Sequence, residues 1–366
     1  MKKLCCIFNY PPLYRESIYL KIDKNFDTTF YFGNEVVEGK ISGIKKLDYS
    51  IFRIKPKTIK NKLIFGKFYW RTGILFLPMK NFTVFLITGD IPLSYIPFLI
   101  LCRIFNKKVY AWGHGFKAFN RKSKYLITLF MKMLNGFFVY GEKGKERMLQ
   151  LGLNGTKLHL IYNSLSEGVS SGYNIKCDVY KERFRNSNPT LIFIGRITKS
   201  KALDKLLIIL DELREEGVSC NLIIVGEGEM LDNLKEISRK LGLDNVVWFY
   251  GACYDESILK YLLYNASLCV SPGNVGLTAI HCMQYGVPVI THDNFEEQGP
   301  EYEAIIEGET GLLYKYGDFG DMREKILEWL SSRKDREEIR KNCYKVINLH
   351  YNSNYQIQVL KEVIGE

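Results

Sequence analysis

Long apolar runs are absent from the sequence, and so is a secretory signal. The longest apolar stretch, residues 91–105, is shorter than the ~20 residues of a membrane-spanning helix, and Pro92 and Pro97 interrupt it. At the N-terminus, two prolines and an arginine come too early for the apolar core and cleavage site of a signal peptide. We therefore predict no transmembrane helix and interpret the N-terminal residues as the first strand.

Cysteine pairs with a metal-binding spacing are also absent. The nine cysteines are an odd number, none forms a C-x-x-C pair, and most lie in apolar runs, such as Cys102 in LILCRIF and Cys269 in ASLCVSP. This pattern is typical of reduced thiols in a hydrophobic core. Because disulfides mark oxidising compartments, we predict a cytoplasmic protein.

Acidic residues are scarce in the first half of the chain. Residues 1–165 hold 28 Lys and Arg against 9 Asp and Glu, a formal charge of +19, whereas the remainder holds 23 against 31, or −8. Such a basic surface attracts polyanions. Zinc-finger spacing, an aromatic RNA-binding motif and a helix-turn-helix signature are missing, which argues against a nucleic-acid partner. An anionic membrane leaflet fits the charge better.

Positive charge is concentrated in two stretches, residues 55–71 and residues 119–135. The second stretch predicts a helix with Leu126, Leu129 and Phe130 on one side. These side chains either face a membrane or pack into the core, with the lysines as a solvated face. The sequence leaves both interpretations open.

The chain has 366 residues, 46% hydrophobic and 25% charged, which is enough for about two domains with their own cores and excludes a disordered or collagen-like chain. Short apolar runs alternate with helical patterns, as in parallel α/β sheets. We predict two Rossmann-like, doubly wound domains. The first spans residues 1–166, a linker covers 167–189, the second spans 190–349, and a C-terminal helix at about 350–366 packs back on the first.

Two cations flank a strand-to-helix turn in LIFIGRITKSKALDKLL. The strand ends at Gly195, Arg196 follows directly, and Lys201 stands near the start of the next helix. Fixed positive charge beside a helix N-terminus suits a diphosphate. The alternative is that both residues are ordinary loop cations.

Two glycine motifs follow further along the chain. In VGEGE, Gly226 and Gly228 allow either a ligand or a tight turn, and the third glycine of a dinucleotide fingerprint is missing. In SPGNVGLTAIH, we predict that the amides of residues 275–277 open a helix and form an anion site. His281 lies one turn later and either faces the same ligand or is structural.

The order of these motifs resembles the donor-binding domain of family 4 retaining glycosyltransferases, which have the GT-B fold. The resemblance rests on GR-x4-K, VGEGE, VVWFYG, SPGNVGLTAIHCMQYGVPVI and EGETGLLY, and it covers residues 191–314 closely. In the first half it is limited to organisation, WGHG at 112–115 and IYNS at 161–164. It implies an acceptor-binding first domain and a donor-binding second domain that face each other across a cleft.

The resemblance also implies site residues. Arg196 and Lys201 hold the donor diphosphate, and His114 approaches the donor sugar from the first domain, so these three form the predicted catalytic set. The predicted donor contacts are Gly195, Gly226, Glu227, Gly228, Gly251, Gly273, Asn274, Val275, Gly276, Leu277, Thr278 and His281. By their position after the first strand, Tyr10, Tyr14 and Arg15 are candidates for the acceptor side.

One motif departs from the family pattern. Family members have a glutamate at each end of an E-x7-E segment, where this sequence has Gly273 and His281. Three alternatives remain open: His281 hydrogen-bonds ribose or phosphate, Asn274 replaces the lost sugar contact, or the donor is a deoxy sugar without the hydroxyl that the first glutamate recognises.

The implied activity is retaining transfer from a UDP- or GDP-sugar to a polyprenyl-diphosphate-linked glycan in capsule, O-antigen or exopolysaccharide biosynthesis, at the inner face of the plasma membrane. Because the chain has no Asp-x-Asp, we predict that no metal and no further cofactor is needed. The alternatives are a transferase for a soluble acceptor and a catalytically silent relative that binds a nucleotide or a glycan.

Overall fold

The structure is a computed structural model that describes residues 2–34, 45–64, 68–115, 121–169, 175, 178–332 and 334–365. The strands are β1 Lys3–Phe8, β2 Asp27–Gly33, β3 Lys57–Ile59, β4 Asn61–Ile64, β5 Phe68–Arg71, β6 Val84–Thr88, β7 Lys108–Gly113, β8 Gly136–Val139, β9 Leu158–Leu160, β10 Thr190–Ile194, β11 Asn221–Val225, β12 Val247–Gly251, β13 Leu268–Val270, β14 Val289–His292 and β15 Gly311–Tyr314. The helices are α1 Glu16–Asn25, α2 Tyr95–Ile104, α3 Arg121–Met133, α4 Glu142–Gln150, α5 Val179–Phe184, α6 Leu203–Glu215, α7 Leu231–Lys240, α8 Glu256–Asn265, α9 Thr278–Gln284, α10 Phe319–Ser331, α11 Arg336–Leu349 and α12 Ser353–Gly365.

The chain divides into two compact units. The first unit contains Met1–Glu167 and Asn352–Glu366, and the second contains Gly168–Tyr351. Helix α12 returns to the first unit, where the Ser353 amide donates to the Ser166 carbonyl at 2.8 Å and its hydroxyl lies 2.6 Å from that of Ser17.

The predicted linker, residues 167–189, differs from what the structure describes. Residues 170–174 and 176–177 lie outside the described residues. After them, Asp178 caps α5 by accepting from the Tyr180 amide at 3.1 Å, and the Tyr180 hydroxyl donates to the Leu262 carbonyl of α8 at 2.7 Å. Residues 178–189 are thus part of the second unit, and the prediction of a linker there is wrong. The polar composition of this segment reflects a short surface helix anchored by one buried tyrosine.

The first unit is built on a parallel sheet with the order β3-β2-β1-β6-β7-β8-β9. Residues of β1 pair with β2 on one side and β6 on the other, for example Leu4 with Thr28 and Val84. Every β1 residue after Lys3 is buried, because helices cover both faces of the sheet. Two apolar cores result, one on each face.

A short antiparallel pair, β4 with β5, extends this unit. Together with β3 it lies within the basic stretch 55–71, which the sequence suggested only as a charged surface. Lys57 and Lys62 are exposed and Ile59 is buried, but Leu63 is exposed at 56% and Arg71 is fully buried, so burial here does not follow the alternation of charged and apolar residues.

The second unit is built on a parallel sheet with the order β12-β11-β10-β13-β14-β15. All of β11 and β13 is buried, and so is β10 up to Phe193. These short runs of Leu, Ile, Val and Phe are typical of strands covered on both faces. The predicted class, two Rossmann-like doubly wound units, is confirmed.

Helix α3 matches the helix predicted within residues 119–135, but its apolar residues divide between two environments. Phe130 is buried at 4% exposure, whereas Leu126 and Leu129 are exposed at 54% and 43%. Residues 116–120, which include the start of the predicted stretch, lie outside the described residues. Within the described part, the core interpretation is right for one side of the helix and wrong for the other.

No helix among the described residues is both long and apolar enough to cross a membrane. The eight cysteines of the described segments are free thiols, and seven of them are buried. Burial raises the pKa of Cys102, Cys220 and Cys343 to about 12, so these thiols are unreactive core residues.

Candidate functional site

The second unit has its topological switch point between β10 and β13. The chain moves outward from β10 to β11 and β12, and then returns to the other side of β10 through β13. Ligands of open parallel sheets bind outside the carboxyl ends of the strands at such a point. The segments that follow these two strands, residues 195–201 and 271–277, contain half of the predicted donor contacts, together with Arg196 and Lys201.

Lys201 connects these two segments. It ends the 3-10 turn Lys199–Lys201, and its ammonium group donates to the carbonyl oxygen of Asn274. Burial, together with the positive charge of exposed Arg196, lowers the pKa of Lys201 to about 8. The two predicted cations are therefore close enough to influence each other. An anion between them would favour the charged form of Lys201 and be held by it.

Gly273 permits this close approach. A Cβ at position 273 would lie 2.0 Å from the Ser200 carbonyl oxygen and 2.9 Å from the Lys201 Cα. The family glutamate that corresponds to Gly273 has no room in this arrangement of the backbone. The departure from E-x7-E is thus linked to the path of the neighbouring loop.

The side chain of Gln298 links the 271–277 segment to β14 through hydrogen bonds. The Val275 amide donates to the Gln298 Oε1 at 2.9 Å, and the Gln298 side-chain nitrogen donates to the Thr291 hydroxyl at 2.8 Å. The prediction that the Val275 amide forms part of an anion site is wrong, because this buried amide is already satisfied within the protein. No described residue accepts a hydrogen bond from the amides of residues 276–278, so these still qualify as donor contacts.

Two predicted side chains in this segment have structural partners. The Asn274 side-chain nitrogen donates to the Glu297 carbonyl at 2.8 Å, and the Thr278 hydroxyl donates to the Ile194 carbonyl at 2.9 Å. These bonds fix the segment against β10 and the 294–298 loop. That Asn274 replaces the lost sugar contact stays a prediction. Because its side-chain nitrogen is engaged, its side-chain oxygen would make that contact.

His281 has an acidic partner that the sequence did not indicate. Its Nε2 lies 2.9 Å from a Glu256 carboxylate oxygen in the first turn of α8, and the Tyr285 hydroxyl donates to the same oxygen at 2.5 Å. Burial raises the pKa of Glu256, but the hydrogen bonds from His281 and Tyr285 outweigh it and hold this pKa below its usual range. Glu256 precedes His281 by a whole strand, so no local pattern links them.

Gly226 and Gly228 are explained by packing between loops. A Cβ at Gly226 would lie 1.9 Å from the Gly195 carbonyl oxygen, and one at Gly228 would lie 2.2 Å from that of Ile197. The Ile197 amide donates to the Glu227 carbonyl at 2.8 Å. The tight-turn alternative therefore accounts for both glycines, although it leaves a donor contact of the Glu227 side chain untested.

Gly251 ends β12, two strands from β10, which corresponds to about 10 Å in a parallel sheet. Its backbone has φ +89°, and the space where a Cβ would stand is open. The structure therefore does not bring Gly251 to the switch point, and its donor contact stays a prediction.

The first unit brings Arg15 and His114 to one aromatic cluster. The Arg15 guanidinium carbon lies 5.2 Å from the centre of the Tyr140 ring and 5.5 Å from the centre of the Trp112 ring. The His114 ring lies 5.0 Å from the Tyr140 ring on the same edge of the sheet. Cation–π contacts hold Arg15 in place. Two residues predicted on separate grounds thus share a neighbour.

The other acceptor-side candidates lie at the edge of this cluster. Tyr14 is 38% exposed, and its ring centre lies 5.9 Å from the Arg15 guanidinium carbon. Tyr10 is half-buried in the loop after β1. Their predicted contact with an acceptor is not tested by these positions.

A buried arginine at the first unit's switch point was not predicted from the sequence. Arg71 ends β5, is fully buried, and pairs with the Asp90 carboxylate at 2.5 Å. Its guanidinium also donates to the hydroxyls of Thr88 and Tyr95. Burial is the main cause that raises the pKa of Tyr95 to about 12, so this hydroxyl stays neutral. The position of Asp90 after a strand was a usable signal, whereas Arg71 lay in an apparently charged surface stretch.

No group of three or more His, Cys, Asp and Glu that could hold a metal ion occurs in the described ranges. Metal independence stays a prediction.

A family model matches most of the second unit. Residues 178–346 match the family model described as glycosyl transferases group 1. The chain is 29% identical over 157 residues to an alpha-monoglucosyldiacylglycerol synthase of Streptococcus pneumoniae, covering 42% of this chain and 34% of the relative. It is 24% identical over 181 residues to a lipopolysaccharide 1,6-galactosyltransferase of Salmonella typhimurium, covering 48% of this chain and 47% of the relative. The chain thus spans less than half the length of these curated relatives.

The fold extends over the whole chain. The crystal structure of HepE from Anabaena in complex with UDP has a TM-score of 0.74 at 14% identity, covering 100% of both chains. At this identity the similarity concerns the fold alone, and it confirms the predicted GT-B fold.

Proposed function

Because residues 178–346 match the glycosyl transferases group 1 family, we propose that the chain transfers a sugar from a nucleotide diphosphate sugar to a lipid-linked glycan. The donor is a UDP- or GDP-sugar, and the product is an intermediate of a cell-surface polysaccharide. The observation that carries the proposal is the pair Arg196 and Lys201 at the switch point of the second unit, with Lys201 half-buried and bonded to the Asn274 carbonyl.

The proposed chemistry is stabilisation of the leaving diphosphate. As the bond between the sugar C1 and the phosphate oxygen breaks, negative charge grows on the β-phosphate, where Arg196 and Lys201 face it. The amides of residues 276–278 contribute further donors. In this account the Asn274 carbonyl positions the Lys201 ammonium group before the donor binds. A phosphate oxygen of the donor then accepts a hydrogen bond from the same ammonium group, either in place of the carbonyl or in addition to it. Because two cations perform this task, the proposed reaction needs no divalent metal.

Retention of the anomeric configuration belongs to the proposal as well. The leaving phosphate accepts the proton of the attacking hydroxyl on the same face of the sugar, so no separate base is required. His114 approaches the sugar, and Arg15 supplies positive charge for an anionic acceptor such as a polyprenyl diphosphate. The support for a lipid-linked acceptor is the function named for two relatives, one a synthase of a glycolipid and one a lipopolysaccharide galactosyltransferase.

Turnover of a panel of nucleotide sugars tests the proposal. Nucleoside diphosphate release is measured with UDP-, GDP- and dTDP-sugars, with and without a lipid extract from the source cells. We expect one donor to be consumed, faster with the extract. Lys201→Ala should lower the rate by about 10²–10³, equivalent to about 2–4 kcal/mol of barrier. The control Lys205→Ala removes an exposed lysine of the next turn that pairs with Asp204, and it should retain activity.

Equal turnover in both lysine variants would contradict the diphosphate site. Release that is independent of lipid but stimulated by a soluble glycan would indicate the soluble-acceptor alternative. Proton NMR of the first product formed gives the anomeric configuration, and an inverted product would contradict retention.

A catalytically silent binding protein is the second candidate. It is favoured by Gly273, whose surroundings exclude the glutamate of the family pattern. Tight nucleotide binding without consumption of any donor would support this candidate instead.

A further inference from the structure

Helix α2 exposes apolar side chains that are not part of the core. Ile96, Ile100 and Ile104 are four residues apart, so they share one face, and they are exposed at 40%, 48% and 69%. The opposite face packs into the core through Phe98 and Cys102, which are 0% and 1% exposed. The helix is thus apolar on both sides, whereas a surface helix normally has a polar outer face.

The neighbours of α2 extend this exposed surface. On α3, Tyr125, Leu126 and Leu129 are 71%, 54% and 43% exposed, and beside the 3-10 turn Leu77–Met79, Phe76 and Met79 are 69% and 56% exposed. The inner sides of these three elements share one core. Their outer sides therefore form the outer layer over the same sheet face. We name these eight exposed residues, from α2, α3 and the turn, the α2–α3 surface.

Side chains with positive charge connect the elements. The Arg103 guanidinium at the end of α2 donates to the Lys132 carbonyl of α3 at 2.6 Å, and the Lys107 ammonium donates to the Lys80 carbonyl after the 3-10 turn at 3.4 Å. The three residues Lys80, Arg103 and Lys132 are exposed. The apolar surface consequently has a cationic border.

The sequence around this surface has almost no negative charge. Asp90 is the one acidic residue between Asp48 and Glu142, a span that holds 16 Lys and Arg. An exposed apolar face also occurs on α8 of the second unit, where Ile258 and Tyr261 are 40% and 45% exposed, but there it follows Asp255 and Glu256. Exposure is similar in both places. On α8, however, the one lysine, Lys260, stands beside the acidic Asp255 and Glu256, whereas the sequence around the α2–α3 surface is almost wholly basic.

We propose that the α2–α3 surface docks the first unit on a membrane leaflet that contains anionic lipids. The apolar side chains enter the boundary between head groups and acyl chains, and the lysines and arginine contact lipid phosphates. The proposal deepens the proposed function, because a lipid-linked acceptor is presented at such a leaflet. The sequence analysis assigned membrane contact to the basic stretches 55–71 and 119–135. The proposed docking surface is instead centred on the apolar face of α2.

Sedimentation with vesicles tests the docking of the full chain. Phosphatidylcholine vesicles with and without phosphatidylglycerol are compared at low and at high salt. We expect binding to the anionic vesicles at low salt and much weaker binding to pure phosphatidylcholine or at high salt. Equal binding to both vesicle types, or no binding to either, would overturn the proposal.

Three double variants separate the two contributions. Ile100→Gln with Ile104→Gln should weaken vesicle binding by about tenfold or more, because glutamine keeps the helix and removes apolar area. Arg103→Gln with Lys132→Gln should weaken it by roughly tenfold and reduce its dependence on salt. The matched control, Ile258→Gln with Tyr261→Gln on α8, should bind like the unchanged protein. Equal effects of the α2 and α8 variants would contradict a specific surface.

Two further readouts on the same samples separate membrane docking from self-association and from loss of the donor site. If the unchanged protein is a dimer, and the α2 variant becomes a monomer without losing vesicle binding, the surface is a contact between two copies and the proposal is overturned. UDP and GDP affinity, measured without vesicles, reports on the second unit. Retained nucleotide binding without vesicle binding overturns the docking alone, and the reverse result overturns the proposed donor site alone.

Discussion

The binding edge of the second unit consists mainly of closely packed backbone, whereas that of the first unit consists of side chains from distant segments. In the second unit, Gly226, Gly228 and Gly273 let neighbouring loops touch at distances that no Cβ allows. In the first unit, Arg15 is held by aromatic rings, and Arg71 is held by Asp90 and hydroxyl groups. Backbone packing fixes the shape of a site for a constant ligand part such as a diphosphate. Under the proposed function, side-chain packing would let the edge of the first unit vary with the acceptor.

The largest effect is expected from a substitution that disrupts the backbone packing of the second unit. Gly273→Ala places a Cβ 2.0 Å from the Ser200 carbonyl oxygen, so the Lys201 segment must move. We expect nucleoside diphosphate affinity to fall by about 100-fold, since overpacking costs about 1–3 kcal/mol or more. Calorimetric titration measures this. The control Gly320→Ala, where the nearest atom is 3.4 Å away, should bind normally, and unchanged affinity in Gly273→Ala would contradict the packing argument.

The matching test in the first unit removes the partner of a buried charge. Asp90→Ala leaves the fully buried Arg71 guanidinium without its carboxylate, which should cost about 3 kcal/mol locally. Hydrogen exchange should show less protection in β5 and α2 and no change in β10 and β11. Glu146→Ala, which breaks an exposed pair with Lys143, should cost less than about 1 kcal/mol. Equal effects of the two substitutions would remove the distinction between buried and exposed pairs.

The pH dependence of nucleotide binding sharpens the comparison further. Only protonated Lys201 attracts a diphosphate, and its pKa in the free protein is lowered to about 8 by burial and by Arg196. The contribution of this charge to binding is therefore nearly complete at pH 7, about half lost at pH 8 and mostly lost at pH 9. Affinity should be about tenfold weaker at pH 9 than at pH 7. Arg196→Gln should move the inflection upward, and Lys201→Met should abolish it. A flat profile in the unchanged protein would count against a titrating Lys201.

The smallest expected effect concerns His281. Because its Nε2 is engaged with Glu256, only the remainder of the ring is available to a donor ribose. His281→Ala should raise the KM for the donor about threefold and leave kcat nearly unchanged. Tyr285→Phe, which keeps the His281–Glu256 bond, serves as the control. A collapsed kcat with an unchanged KM would instead assign His281 to the chemical step.

The sequence predicted the features that are local along the chain. Periodic apolar runs predicted both sheets, and the short spacing from Gly195 to Lys201 predicted the two cations at one turn. The partners of the predicted residues were not predictable, because they lie on other strands and helices: Gln298 for Val275, Glu256 for His281, and Tyr140 for Arg15 and His114. The error at the linker has a related cause, since one buried tyrosine anchors a segment whose composition is polar.

Calorimetric titration of UDP, GDP and dTDP into the protein without added metal tests the central claim most directly. That claim is that Lys201 and Arg196 form a diphosphate site on the second unit. We predict that one nucleoside diphosphate binds, that its affinity falls by about 100-fold in Lys201→Ala, and that Lys205→Ala binds like the unchanged protein. Equal affinity of Lys201→Ala and the unchanged protein for that nucleotide would contradict the claim.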